Sequence, residues 1–424
     1  MGPPTPTAAR PLRIALLSYR SRPHCGGQGV YVRHLSRELA ALGHQVEVVS
    51  GPPYPELDDV AGLTLTRLPS LDLYREPDPF RVPRLREFHS PVDVLEFLLM
   101  CTAAFPEPLT FSIRAWQELR RRAERPDVVH DNQTLGYGLL ALQRAGLHVV
   151  ATCHHPITVD RVHDLAAAPG WRKRASTRRW YSFLRMQGRV LRALPAVLTV
   201  SRSSAVDIAR DFGVPAERLT VVPVGVDTEV FVPPAAPRVT GRVVATASAD
   251  VPLKGLVPLL EAVAKLRTER DVELVIVGQA REGGLTAATI ERLGLVGHVR
   301  FVSGVSEPGL VALFGSAEVG VVPSLYEGFS LPAVELMACQ TPLVVTTVGA
   351  LPEVVGPDGV AALHVAPNDP EAIAAAVGRL MDDPELAGRL GAAGRARVAE
   401  HFTWRAVAEQ TVHWYRAILE DAPC

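Results

Sequence analysis

A chain of 424 residues is too long for one ordinary core and predicts two domains. Its 47% apolar and 21% charged composition is that of a soluble globular protein, and a net charge of −1 excludes the overall basic field of a nucleic-acid binder. Five scattered cysteines without a CxxC pair argue against a disulfide framework or zinc cage, and no apolar run approaches the ~20 residues of a membrane span.

Reduced thiols point to the cytoplasm. The N-terminal MGPPTPTAARP lacks the apolar core of a signal peptide, and Pro6 stands where myristoylation wants Ser or Thr, so residues 1–11 read as a disordered tail. LRIALL (12–17) predicts a buried strand, followed by a loop with Gly26, Gly27 and Gly29. Val30–Leu42 has helical apolar spacing, Gly43 stops it, and QVEVVS (45–50) is the next strand. This β–loop–α–β opening predicts a parallel sheet with a right-handed crossover. Further strands are predicted at 128–130, 148–152, 196–200 and 219–223. Residues 69–125, rich in Pro, Arg and Phe, read as an insertion of irregular and helical pieces.

VPPAAPR (232–238) interrupts the alternation. It restarts with strands at 243–247, 273–277, 299–302, 319–323 and 342–346 and helices at 256–266, 287–293, 307–315 and from about Pro332. Residues 370–399 and 404–419 look helical. The fold class is therefore α/β, with two Rossmann-like doubly wound domains expected to face each other across a crevice. The expected boundaries are 12–230, a linker at 231–238, 239–403, and a C-terminal helix from 404 that returns to the first domain.

Open parallel sheets bind ligands at the C-terminal ends of their strands, so residues directly after strands carry the chemistry. HCGGQG (24–29) follows the first strand; glycines there let backbone amides approach a phosphate, although a plain tight turn also fits. The spacing is not GxGxxG, and Ser50 stands where a nicotinamide enzyme would place an acid. His154 follows HVVAT, as either a crevice-facing group or a structural histidine. Lys254, after the first strand of the second domain, is either solvated or a point charge for phosphate.

YEGFSLPAVE (326–335) follows the strand at 319–323. Pro332 suits a first helical turn, which leaves the amides of Phe329, Ser330 and Leu331 free as an anion site. Glu327 and Glu335 can rim that site. As mere helix-dipole partners each is worth only ~0.3–1 kcal/mol. A glycosidase pair, another use of two carboxylates, fits poorly beside phosphate-type amides and a lysine.

Glu327 and Glu335 in EGFSLPAVE resemble the glutamate–seven–glutamate signature of the retaining GT-B glycosyltransferases of family 4. In order along the chain, GGQGVYVRHLSRELAALGH (26–44), VVATCHH, VLTVSRSSAVDI, VVPVGVDTEVF, KGLVPLLEA, ELVIVG and VRFVSG also resemble that family. The resemblance implies a nucleotide-diphosphate sugar held mainly by the second domain and an acceptor, unidentified, held mainly by the first. Glu335 would bond the ribose and Glu327 the donor sugar. Lys254 and the Phe329–Leu331 amides would serve the diphosphate, with Gly26 and Gly27 approaching it, and His154 would line the sugar. No DxD motif is present, so neither metal nor cofactor is expected; attack is front-face, with the departing phosphate taking the acceptor's proton.

The chain departs from the family pattern in three places. Ser248 and Ala249 stand where an arginine is common, with Asp250 beside them; Ser330 and Gln340 replace commoner glycines. Leu165–Val206 holds nine basic residues and no acid, with Trp171, Trp180, Tyr181 and Phe183 interleaved. That is a solvated basic face, a peripheral contact of 171–192 with the inner face of the membrane, or a contact for an anionic soluble acceptor. The insertion, with FPEPLTF at 105–111, is expected to shape the acceptor pocket. A sugar-nucleotide epimerase or hydrolase on the same scaffold, and a catalytically silent sugar-nucleotide-binding protein, are the competing readings.

Overall fold

The computed structural model describes residues 10–21, 27–247, 251–279 and 283–420. The expected tail at 1–11 lies outside them but for Arg10 and Pro11. The chain forms two compact units. Unit 1 takes in the chain up to Val200, Ala205–Val222 and the chain from Val407 onward; unit 2 takes in Ser201–Ser204 and Pro223–Ala406.

Unit 1 is built on seven parallel strands: β1 (Arg13–Ser18), β2 (Gln45–Ser50), β3 (Leu63–Arg67), β4 (Val128–Asn132), β5 (Val149–Thr152), β6 (Val197–Thr199) and β7 (Leu219–Val221). Their spatial order is β3-β2-β1-β4-β5-β6-β7, with β1 between β2 (Leu16 opposite Val48) and β4 (Leu16 opposite His130). The inner strands β1, β5 and β6 run apolar because helices cover both faces of the sheet; Ile14, Leu16, Leu17, Val149 and Val197 are all buried. The crossover helix Gly27–Ala41 buries Tyr31, Val32, Leu35, Leu39 and Ala40, one face at helical spacing, and the chain leaves it through Gly43 at φ +88°.

Unit 2 repeats the plan with β8 (Val239–Thr246), β9 (Glu273–Val277), β10 (Val299–Val302), β11 (Ala317–Val322), β12 (Leu343–Thr346) and β13 (Leu363–Val365), ordered β10-β9-β8-β11-β12-β13 and all parallel. Its core joins these strands to helices Leu256–Leu266, Pro370–Asp382 and Pro384–His401. Both sheets reverse strand order at one place, between β1 and β4 and between β8 and β11. In doubly wound sheets that switch point opens the ligand crevice.

Two strands escape the sequence reading. β3 (LTLTR) is a half-exposed edge strand with threonines at alternate positions, and β13 has only three residues. The insertion contains helices Pro91–Cys101 and Glu107–Leu119, and a small apolar cluster of Leu71, Leu73 and Tyr74 packed on Phe88, Phe97, Phe105 and Trp180. In the basic segment, helices Gly170–Trp180 and Phe183–Ala193 keep their arginines exposed, but Tyr181 and Phe183 are buried and Trp180 packs on the core. Only Trp171 stays largely in solvent, so the interleaving in sequence does not put rings and charges on one surface. Among the described residues no helix is long and apolar enough to cross a membrane.

Candidate active site

In unit 2 the switch point brings the loops after β8 and β11 together. The Leu325 amide donates to the Leu253 carbonyl at 2.7 Å, tying one loop to the other. Gly255 turns the chain at φ +64°, and a Cβ there would lie 1.9 Å from the Pro323 carbonyl oxygen, so only glycine permits this approach. As a result Lys254 Nζ donates to Glu327 Oε1 at 2.8 Å, across 73 residues of sequence. The Ser324 hydroxyl donates to the same oxygen at 2.7 Å, and Glu327 is buried. Its backbone carbonyl accepts from the Ala350 amide at 3.0 Å beside Gly349, whose φ of +51° and close approach again suit only glycine.

Helix Leu331–Ala338 begins directly behind this pair, with Pro332 in its first turn and no acid there to occupy its positive end. Among the described residues the amides of Phe329, Ser330 and Leu331 have no acceptor. Ser330 caps the helix at φ +93° with a buried hydroxyl that has no partner among the described residues. The Phe329 ring is buried, edge-on to Phe402 at 5.8 Å, so only its backbone is available. Gly328 is held from behind: its carbonyl accepts from the Ser201 and Ser204 hydroxyls at 2.6 and 3.0 Å. One turn into the helix, the Glu335 carboxyl accepts no hydrogen bond from a described residue. Burial, with a smaller contribution from Glu307, pushes its pKa up to about 7.

The other half of the predicted site lies in unit 1, again at strand ends. Gly27 opens the helix after β1, and His154 stands two residues beyond β5. His154 Nε2–H donates to Asn132 Oδ1 at 2.7 Å, and its backbone amide donates to Gln133 Oε1 at 2.7 Å. The Tyr31 ring meets it edge-on at 4.7 Å. Burial, and secondarily His155 and His130, pushes the His154 pKa down to about 3, so the imidazole is neutral at pH 7 with Nδ1 as an acceptor. Beneath it, His130 bridges Thr152 Oγ1 (2.6 Å) and the Tyr415 hydroxyl (2.5 Å) and is likewise held neutral by burial, with a pKa of about 3.

Of the residues singled out in sequence, the structure thus joins Lys254 to Glu327 and sets Phe329, Ser330, Leu331 and Glu335 on the adjoining helix start; His154 and Gly27 belong to unit 1. Gly26, and Ser248, Ala249 and Asp250 at the departure before Lys254, lie outside the described residues. Asn132, Gln133, Ser201, Ser204 and Ser324 were missed. The polar run HDNQ at the end of β4 was the available signal for the first two, since it follows a strand at the switch point.

The sequence profile of the group 1 glycosyl transferases matches residues 229–397, and that of glycosyltransferase family 4 matches residues 25–230. The chain is 57% identical to an MMP alpha-(1->4)-mannosyltransferase of Mycolicibacterium hassiacum, over 97% of this chain and all of that one. This chain belongs to glycosyltransferase family 4. Its GT-B fold is shared with sucrose-phosphate synthase from Thermosynechococcus elongatus (TM-score 0.73, 24% identity, 96% of this chain and 99% of that one). It is shared also with Anabaena HepE solved with UDP and glucose (TM-score 0.68, 16% identity, 96% and 100% coverage). In this glycosyltransferase, then, an ion pair, a helix start and a desolvated carboxyl surround the switch point of one sheet. A neutral histidine stands two residues beyond β5 of the other.

Proposed function

We propose that the chain transfers a mannosyl residue from a nucleoside diphosphate mannose to a hydroxyl of a mannoside acceptor, with retention of configuration and without a metal ion. The observation that carries this reading is the Lys254–Glu327 pair beside three unengaged amides at the β8/β11 switch point. The sugar and the α-(1→4) linkage follow the name of the 57% identical relative.

The leaving group is a diphosphate whose charge grows as the bond from C1 to the phosphate oxygen breaks. The amides of Phe329, Ser330 and Leu331 are fixed dipoles that require no reorganisation, and Lys254 adds a cation; in other enzymes one such donor is worth ~3–4 kcal/mol. Glu327 has a second oxygen for a donor-sugar hydroxyl while its first orients Lys254. Glu335 accepts from the ribose. His154 of unit 1, uncharged, suits a sugar hydroxyl rather than a phosphate. The acceptor oxygen bonds to C1 on the face the phosphate leaves, and its proton passes to the departing phosphate oxygen, giving glycoside and nucleoside diphosphate. No side chain acts as nucleophile.

Thermal-shift titration with UDP-, GDP-, ADP- and TDP-sugars tests the class. A donor at 100 times its Kd should stabilise by ~2.7 kcal/mol. No shift with any of them overturns the reading. The anomeric coupling in the NMR spectrum of the product, and turnover in the presence of EDTA, test retention and metal independence.

A further inference from the structure

The loop that presents the free amides, from Leu325 to Ser330, forms neither helix nor strand, so its backbone direction depends on what its carbonyls bond. Two consecutive carbonyls are anchored. That of Glu327 accepts from the Ala350 amide at 3.0 Å. That of Gly328 accepts from the Ser201 hydroxyl at 2.6 Å and from the Ser204 hydroxyl at 3.0 Å. Both lone pairs of the Gly328 oxygen are thus taken by side chains 127 and 124 positions away in sequence.

The two serines sit at a helix start that is itself held in place. Ser201 precedes helix Arg202–Phe212, and its Oγ accepts from the Ser204 amide at 2.9 Å. The Glu353 carboxylate accepts from the amides of Arg202 and Ser203 at 3.1 and 3.3 Å, and the Glu353 carbonyl accepts from Arg397 at 2.8 Å. Ser201–Ser204 pack with unit 2, so every one of these bonds lies within one unit. Ser201 and Ser204 are buried. Capping uses the Ser201 hydroxyl only as an acceptor and asks for no hydroxyl at Ser204. Both protons nevertheless go to the same carbonyl, which capping does not explain.

That carbonyl shares a peptide plane with the Phe329 amide. The peptide is trans, so its C=O and N–H point in opposite directions. Fixing the Gly328 oxygen against the two serines therefore fixes the Phe329 N–H away from them, and this amide has no acceptor among the described residues. A carbonyl that accepts two hydrogen bonds also polarises its peptide and makes the N–H a stronger donor. A donor aimed and polarised before the ligand arrives requires no reorganisation when charge develops on a leaving group.

We propose that Ser201 and Ser204 are positioning residues for the transfer: through the Gly328 carbonyl they aim the Phe329 amide at the departing diphosphate. This rests on the glycosyl-transfer reading. Gly328–Phe329 is the only Gly–Phe step in the chain, so labelling glycine at the carbonyl carbon and phenylalanine at the nitrogen gives one carbonyl–amide NMR correlation. The test uses the full chain. Ser204→Ala, which keeps the Ser201 cap, should move the carbonyl resonance of that peak upfield with no nucleotide present. Titration with UDP, GDP, ADP and TDP should shift the amide resonance in the wild type. In Ser204→Ala the affinity for the nucleoside diphosphate should fall about two- to tenfold, the range of one hydrogen bond. The loss in kcat should be larger than that, because the charge on the leaving group grows in the transition state. Ser204→Cys, similar in shape with a weaker donor, should fall between the two. Ser203→Ala, in the same helical turn, should leave both peak and rate as they are, which separates the grip on Gly328 from a general loss of fold. The proposal falls if the Ser204→Ala peak coincides with that of the wild type, or if it moves while kcat and affinity stay unchanged. It falls too if the wild-type amide ignores all four nucleotides. With a nucleotide-induced thermal shift present, the transferase reading then stands and the proposal alone fails; without one, both fail.

Discussion

The two sheets share one strand order around their switch points, yet an ion pair stands at strand ends of one and neutral histidines at strand ends of the other. At β8/β11 the site is charged: Lys254 and Glu327 are paired, a helix start lies open, and Glu335 sits near its titration point. At the ends of β4 and β5 in unit 1, histidines stand where charges could have been, and burial keeps His154 and His130 neutral far below pH 7. The residues placed just after each strand have thus specialised one scaffold in two ways. The ion pair and helix start suit a diphosphate whose charge grows, and the neutral histidines suit a sugar.

The largest effect should come from breaking the charged side. Lys254→Ala is expected to lower kcat/KM by about 100- to 1000-fold, corresponding to the ~3–4 kcal/mol of a lost transition-state donor, and to weaken nucleoside diphosphate binding. It also leaves Glu327 buried without its cation, which adds to the loss. His154→Ala should lower turnover while leaving the Kd for nucleoside diphosphate as it was. Steady-state kinetics with calorimetric titration checks both; equal losses of nucleotide affinity in the two variants would abolish the division of labour.

The pH response should differ in the same sense, on a smaller scale. In the free protein Glu335 is protonated below about pH 7 and ionised above it. Ribose hydroxyls bonding the carboxylate favour the ionised form, so nucleotide affinity should rise with pH up to about 7, by at most about tenfold per pH unit for one proton, and level off above it. Glu335→Gln should flatten that slope. His154, with a pKa near 3, stays neutral from pH 5 to 8 and adds no slope of its own. Calorimetry from pH 6 to 8 measures the trend, and a flat wild-type curve would remove Glu335 from the ribose.

Much of this was legible in the chain because the signals are local. Strand–loop–helix alternation and strand-end placement singled out Lys254, Glu327 and His154 before any contact was known. The contacts themselves were not legible. Nothing in sequence says that Lys254 and Glu327, 73 positions apart, share a bond, because strand order rather than spacing makes β8 and β11 neighbours. Nor does it say that Tyr181 and Phe183 turn inward from the basic segment, since helical phase at two adjoining helices decides it. Ser201 and Ser204 lie in sequence with unit 1 and pack with unit 2, which no linear boundary could capture.

The smallest expected effect compares two ends of one helix. Ser330 and Gln340 both stand where glycine is commoner in the family, and both have positive φ, +93° and +58°. At Gln340 the cause is helix termination: it follows the C-cap Cys339, and its carbonyl accepts from Arg238 at 2.7 Å. A left-handed non-glycine residue costs roughly 1–2 kcal/mol, and glycine returns part of that as extra freedom of the unfolded chain, so Gln340→Gly should stabilise by about 0.5–1 kcal/mol. In a unit of this size that is a rise in Tm of roughly 1–4 °C. Turnover and nucleotide affinity should not change, because Gln340 lies at the far end of the helix from the free amides. Ser330→Gly should give a similar rise from the backbone, but it also reshapes the helix start and deletes a buried hydroxyl there, so its nucleotide affinity should move. If Gln340→Gly altered affinity as much as Ser330→Gly, the helix start could not be the anion site.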